Sequence, residues 1–256
     1  MNYVGRISDF ELKRKLSASG AVLIRGPKAC GKTESARQLA GSTLYIDRDP
    51  QIDALMNAAP QRLLVGETPR LIDEWQIQPR IWDYVRHEVD ERKKNAQFIL
   101  TGSSNPEDTA RMHSGAGRFT TVDMRTMSWQ EMGFSNGNIS LAKLFEGEKI
   151  KIVDHPIDLE LIVERIIVGG FPANLNRKSH QASELNRAYI ELLAEVDMSK
   201  VSGVKKDPIK VRSLLKALAR NTSTLVELST LAKDINDRDT TRFSRPTIYE
   251  YMDALQ

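Results

Sequence analysis

An apolar, strand-like run from Ala21 to Arg25 leads directly into Gly26, Pro27, Lys28, Ala29, Cys30, Gly31, Lys32 and Thr33, and a helical pattern follows. This G-x-x-x-x-G-K-[ST] order between a strand and a helix constrains the chain more than any other feature. A loop that wraps phosphates must turn its successive backbone N–H groups inward, and a side chain at either glycine would obstruct that approach or the dihedrals it needs. The helix behind the loop aims its positive dipole end at the same anion. Lys32 is then placed to neutralise β- and γ-phosphates, and the Thr33 hydroxyl to ligate Mg²⁺. Gly26 through Glu34 form the expected nucleotide-binding stretch. An ordinary glycine turn is the competing reading, and the flanking strand and helix argue against it.

A phosphate loop serves kinases, GTPases and ATPases alike, so the second half of the site has to discriminate. In "PRLIDEWQ", Leu71 and Ile72 read as the buried part of a strand that ends in Asp73 and Glu74. Asp73 suits the Mg²⁺ shell, and Glu74 suits orienting or deprotonating a water. Two adjacent acids at a strand end favour hydrolysis over transfer to an acceptor, although exposed turn acids are the bland alternative. An Asn-Lys-x-Asp run, which a guanine-specific site would want, does not occur, and that argues for ATP.

Two further polar elements are candidates. At the end of "QFILTGSSN" a hydroxyl on a neighbouring strand is placed to contact the γ-phosphate or its water; Ser103 is the choice, with Thr101 and Ser104 as alternates and a helix cap as the competing role. In "HSGAGR", Arg118 precedes the strand "FTTVDM", where an arginine can reach a γ-phosphate in its own or a neighbouring subunit of a homo-oligomer; a surface arginine is the alternative. Cys30, the only cysteine, has two readings. Its place near a helix N-terminus beside Lys28 and Lys32 favours a reactive thiolate, whereas a free cysteine is usually a small buried side chain.

The first half alternates short apolar runs with helical patterns, which is the signature of βαβ units in a parallel sheet covered by helices on both faces. After about Ser140 the helical period takes over, and the polar stretch "GFSNGNIS" marks the expected boundary. The expected parts are residues 1–140 as a nucleotide-binding domain, 141–198 as a helical region, and 199–256 as a basic helix-turn-helix-like region. The fold class expected from the pattern is α/β, a P-loop NTPase sheet with helices on both faces, followed by an all-α region. With 256 residues and a single cysteine the chain can bury a sizeable core without disulfides. No apolar run approaches the ~20 residues needed to cross a bilayer, and the start lacks a signal peptide's apolar segment, so a cytoplasmic protein without a membrane partner is expected.

Charge is unevenly spread. Residues 1–198 carry 26 basic and 27 acidic side chains, and residues 199–256 carry 11 and 7. Lys200 to Arg220 alone holds seven basic residues against one acid. Either this is a solvated helix face or it binds a polyanion, with Lys205, Lys206, Lys210, Arg212 and Lys216 on DNA phosphates and Arg245 and Thr247 opening the second helix of the pair. The nine-residue connection "NDRDTTRFS" is longer than the three or four usual in a helix-turn-helix.

The order "GPKACGKT", "RLIDEWQ", "FILTGSS", "GAGRFTTVDMRTMSWQEMGF" and "GGFP" resembles a family of bacterial and archaeal AAA-type ATPases whose C-terminal part is called domain of unknown function 4143. The resemblance runs from about Asp9 to Pro172. It implies an ATP-binding P-loop NTPase domain of the AAA type over residues 1–140, a lid-like helical region over 141–198, a winged-helix-like segment after it and a further C-terminal domain. By position it assigns Lys32, Thr33, Asp73 and Glu74 to the nucleotide site, Ser103 to a sensor strand and Arg118 to the "GR" after the sensor helix. Because Gln256 falls inside the helix-like "TIYEYMDALQ", the resemblance also implies that the terminal domain is missing. Two functions follow from different classes: a Mg²⁺-dependent ATPase working as a switch or motor, and a nucleotide-regulated DNA-binding module in which turnover is incidental. A P-loop kinase is disfavoured by the acidic pair.

Overall fold

The computed structural model describes residues 3–102, 115–150, 157–198, 206–238 and 242–255. Two compact units divide between Arg177 and Lys178. The first begins with α1 (Ile7–Ala18) and continues through β1 (Ala21–Arg25), α2 (Lys32–Arg37), β2 (Ser42–Tyr45), α3 (Ile52–Ala58), β3 (Arg70–Asp73), α4 (Ile81–Arg92), β4 (Phe98–Gly102) and β5 (Phe119–Asp123). It ends with α5 (Leu141–Phe145) and α6 (Leu159–Val168). Five parallel strands lie in the order β2-β3-β4-β1-β5.

Period-two alternation sends the strand side chains into two separate cores. Ala21, Leu23, Ile72, Phe98 and Leu100 face Trp75, Trp82, Val85 and Val89 on one side of the sheet. Val22, Ile24, Leu71, Ile99 and Val122 face Leu12 and Leu16 of α1 and Ala36 of α2 on the other. Strands buried on both faces read as continuous apolar runs, which is why "AVLI" and "FIL" carry so few polar residues. Within one layer, Trp82 stacks on Phe119 with ring centroids 3.9 Å apart.

The sheet unit extends past the glycine-containing stretch near residue 140 where the sequence suggested a break. Met127 N–H donates to Gly170 O at 2.7 Å, and a Cβ on Gly170 would lie 2.5 Å from Met127 O, so this close approach requires glycine. Buried Asn174 then donates to Val168 O at 3.1 Å, closing the "GGFPAN" turn. The span 141–198 consequently straddles the division: α5 and α6 lie in the first unit, whereas α7 (Ser179–Leu192) and the π-helical turn Leu193–Asp197 open the second.

The second unit adds α8 (Pro208–Arg220), α9 (Leu228–Arg238) and α10 (Arg245–Asp253) around Val211, Leu214, Leu231, Ile235, Phe243, Ile248 and Tyr251. Asp207 and Ser244 cap α8 and α10 through Ile209 N and Thr247 N, each with proline in the first turn. Of the nine residues read as the link, Asn236, Asp237 and Arg238 belong to α9, and α10 is described from Arg245. Asn236 receives Phe243 N–H at 2.8 Å and donates to Phe243 O at 3.1 Å, which pins the end of that connection.

Candidate nucleotide site

The phosphate loop follows the C-terminal end of β1 and wraps into α2. Gly26 has φ 152°, Ala29 φ 62° and Gly31 φ 104°. A Cβ on Gly26 would sit 2.0 Å from Met124 O, so both its dihedral and the crossing of the next strand's chain demand glycine. Pro27, Lys28 and Ala29 are exposed on the loop's outside, whereas Cys30 and Lys32 are buried and Glu34 pairs with Arg37 at the surface. Lys32 Nζ donates to Gly26 O at 2.8 Å and Pro27 O at 3.0 Å. Burial lowers its pKa, while Glu74 and Asp73 pull the other way by stabilising its charge.

Two strand ends, those of β3 and β4, supply the rest of the constellation. β4 lies between β1 and β3, so its last residues stand between the phosphate loop and the acidic pair. Asp73 is 4% exposed, and its Oδ1 accepts from Thr33 Oγ1 at 2.8 Å and also from Thr101 Oγ1. Glu74 adopts a left-handed backbone, φ 58° and ψ 42°, a costly conformation for a residue with a side chain, and its carboxylate accepts from Gln76 Nε2. A Cβ on Gly102 would fall 2.4 Å from Gln76 Oε1 and 2.7 Å from Trp75 Nε1, so glycine there lets the Glu74–Gln76 turn close on β4.

The structure thus brings Lys32, Thr33, Asp73 and Glu74 together. Of the three hydroxyls proposed on the sensor strand, Thr101 joins them; Ser103 and Ser104 lie outside the described residues. Arg118 does not join them. In the register of β1 with β5, Ala21 faces Phe119 and Arg25 faces Asp123, so Arg118 precedes the opposite end of the strands from the loop. At ~3.3 Å per residue that places it roughly 16 Å away. It forms an ion pair with Asp90, with Nε 2.9 Å from Oδ1, and lines an open cleft with Lys93 and Asn95. The assignment of Arg118 to the γ-phosphate of its own subunit is therefore corrected.

Cys30 resolves in favour of burial. It is 0% exposed, its Sγ lies 3.8 Å from Met124 O, and desolvation raises its pKa despite the nearby Lys32 and Arg6 charges. The thiolate suggested by the helix N-terminus is overridden because the thiol points into the core under the loop.

The residues missed by sequence reasoning are Arg6 and Glu131. Arg6 Nη1 donates to Cys30 O at 2.7 Å, its Nη2 to Arg125 O at 2.7 Å and its Nε to Glu131 at 3.0 Å. The Ser128-x-x-Glu131 spacing is a capping-box pattern that could have flagged Glu131, whose other oxygen accepts from Ser128 N at 2.7 Å. Nothing local flags Arg6.

Three of the described basic residues of the segment are paired with acids of their own unit. Lys206 is buried, pairs with Glu250 and lies over the Tyr251 ring; Arg212 pairs with Glu191 and Glu195; Arg220 pairs with Asp234 at 2.7 Å. Lys210 lies over the Phe243 ring, 5.7 Å from its centroid. Lys200 and Lys205 lie outside the described residues. The charge excess thus works partly as intramolecular pairing, which the linear count could not register.

A parallel sheet of this strand order, with a glycine-bounded phosphate loop after one interior strand and an acidic pair at the end of another, is the P-loop NTPase fold. Residues 18–133 match the family model described as "AAA domain", and residues 159–256 match "Domain of unknown function (DUF8612)" rather than the domain 4143 that the resemblance implied. The chain is 26% identical over 249 residues to the uncharacterized proteins Rv2008c of Mycobacterium tuberculosis and Mb2031c of Mycobacterium bovis, covering 95% of this chain and 49% of each relative. It therefore spans about half the length of those curated relatives. The Walker-type ATPase PABY2304 of Pyrococcus abyssi superposes with a TM-score of 0.56 at 14% identity, over 99% of this chain and 89% of that one. No described helix is long and apolar enough to cross a membrane.

Proposed function

We propose that the first unit binds ATP with Mg²⁺ and hydrolyses it to ADP and phosphate, acting as a nucleotide-driven switch or motor. The observation that carries this reading is the convergence of Thr33 and Thr101 on one buried oxygen of Asp73, beside Lys32 and Glu74. The AAA-domain match and the Walker-type structural neighbour support it.

The donor set fits magnesium, because hydroxyl and carboxylate oxygens are hard ligands. Thr33 Oγ1 and Asp73 Oδ1, 2.8 Å apart, are the groups that would hold the ion. When bound, the ion neutralises charge on the β- and γ-phosphates. Lys32 leaves the Gly26 and Pro27 carbonyls for phosphate oxygens. Glu74 orients the attacking water and accepts its proton as the water oxygen bonds to the γ-phosphorus and the bond to the β-phosphate oxygen breaks. Thr101 keeps the Asp73 carboxylate aligned between the strands.

The test is ATP turnover by the purified chain with Mg²⁺ and with EDTA. Binding and phosphate release that both require Lys32 support the reading, whereas phosphate release unchanged in Lys32→Ala would defeat it. A second reading, nucleotide-regulated DNA binding by the second unit, rests on Lys210 and Lys216 and on the helix opened by Arg245 and Thr247. A salt titration of DNA affinity separates the two, since phosphate contacts weaken steeply as salt rises.

A further inference from the structure

We infer that Arg6, immediately before α1, is a positioning residue that sets the orientation of the phosphate loop; the inference rests on the nucleotide-binding reading of that loop. The Arg6 side chain is 4% exposed and that of Glu131 is 7% exposed, so their 3.0 Å ion pair is almost fully enclosed. A guanidinium used only to neutralise Glu131 would need one edge. Arg6 instead spends its other two nitrogens on backbone carbonyls, Cys30 O in the phosphate loop and Arg125 O in the chain after β5.

The contact with Cys30 has a direct consequence for anion binding. In a planar trans peptide the carbonyl and the following N–H point in opposite directions. Drawing Cys30 O towards Arg6 therefore turns the Gly31 N–H away from Arg6, on the side of the loop that a phosphate would occupy. Gly31 leaves room for this: a Cβ there would stand 3.2 Å from Arg6 Nη1 and 3.5 Å from Pro172 Cγ, in a left-handed backbone.

The brace is itself anchored. Arg6 N–H donates to Asp9 at 2.7 Å, and Ile7 N–H donates to Glu131 Oε1 at 2.7 Å. Tyr3 OH reaches both Asp9, at 2.7 Å, and Ser35 Oγ of α2, at 2.9 Å. The segment before α1 therefore grips the phosphate loop at Cys30 and the helix behind it at Ser35, while Glu131 ties the same segment to the chain beyond β5. Arg6 reaches these acceptors from three different nitrogens of one planar fork, whereas the three donors of a lysine sit on a single nitrogen and cannot span the same acceptors.

The test compares wild type, Arg6→Lys and Arg6→Gln by thermal melting, Mg²⁺-ATP affinity, the split between KM and kcat, and the rate at which a maleimide labels Cys30 without nucleotide. Expected for folded Arg6→Lys is a fall in ATP affinity of about 10- to 100-fold, the range for a lost hydrogen bond to a charged group. The loss appears in KM more than in kcat, with faster Cys30 labelling and with Arg6→Gln impaired further. Wild-type affinity and wild-type labelling in both folded variants would overturn the inference. Loss of the cooperative melt in both would also overturn it, by making Arg6 a residue of the fold and not of the loop. Wild-type protein that binds no nucleotide would instead defeat the functional reading, and the labelling rates would still report on the brace.

Discussion

Thr33 Oγ1 stands 2.8 Å from Asp73 Oδ1, joining the first turn behind the phosphate loop to a strand end 40 residues later in the chain. Thr101 donates to the same oxygen from the intervening strand, so one buried carboxylate gathers three elements. Thr101→Val removes a donor without changing volume and leaves Asp73 poorly solvated. The expected cost is about 1–3 kcal/mol in a denaturant titration, together with weaker Mg²⁺ dependence of turnover. A Thr101→Val protein as stable and as active as wild type would remove Thr101 from the site.

Lys32→Ala is expected to weaken ATP binding, whereas Glu74→Gln leaves binding largely intact and abolishes turnover. Lys32 meets ground-state phosphates, while Glu74 acts on water only as the reaction proceeds. Calorimetric affinities and single-turnover rates check this together. Equal loss of affinity in the two variants would reverse the assignment.

Gly26→Ala places a methyl 2.0 Å from Met124 O in a backbone at φ 152°, so the loop and the chain after β5 cannot both keep their positions. Loss of nucleotide binding is expected, with a destabilisation of about 1–3 kcal/mol from backbone strain. Gly117→Ala is a useful control: its φ is also positive, at 80°, but a Cβ there meets nothing within 4 Å, so its effect on nucleotide affinity should be small.

Burial alone would raise the Glu131 pKa, yet the N–H groups of Ser128 and Ile7 and the Arg6 guanidinium hold its carboxyl below the usual carboxylate range. A group depressed in the folded state contributes stability above its unfolded pKa and loses that contribution as pH falls through the folded one. The first unit should therefore lose stability below about pH 4.3, and Glu131→Gln should flatten that acid limb while lowering the plateau at neutral pH. Parallel acid limbs for the two proteins would contradict the linkage.

In the second unit, Lys206→Gln should destabilise the helical fold, because its ammonium is buried against Glu250 and the Tyr251 ring. Replacing Lys210 and Lys216 with glutamine should leave the melt nearly unchanged and reduce the salt sensitivity of any DNA affinity. DNA binding that survives both replacements undiminished would place the polyanion contact elsewhere.

The elements nearest the site were legible because their causes are local. "AVLIR", "RLID" and "FILTG" are apolar runs of strand length, "GPKACGKT" carries its glycines where the backbone needs them, and "RLIDEWQ" ends a strand on two acids. Tertiary structure decided what depends on partners distant in sequence. Strand order put Thr101 against Asp73 and sent Arg118 to the far end of the sheet, since parallel register is a property of strand pairs. The thiol of Cys30 was turned under the loop, where desolvation outweighs the lysines beside it in sequence. Arg6 and Glu131, 125 residues apart, became one ion pair around the phosphate loop. In the second unit Lys206, Arg212 and Arg220 found acids on neighbouring helices, so part of a run that is basic in one dimension is paired in three. Residue type and spacing determine the local backbone and its chemistry, whereas burial and charge pairing depend on which surfaces the folded chain brings into contact.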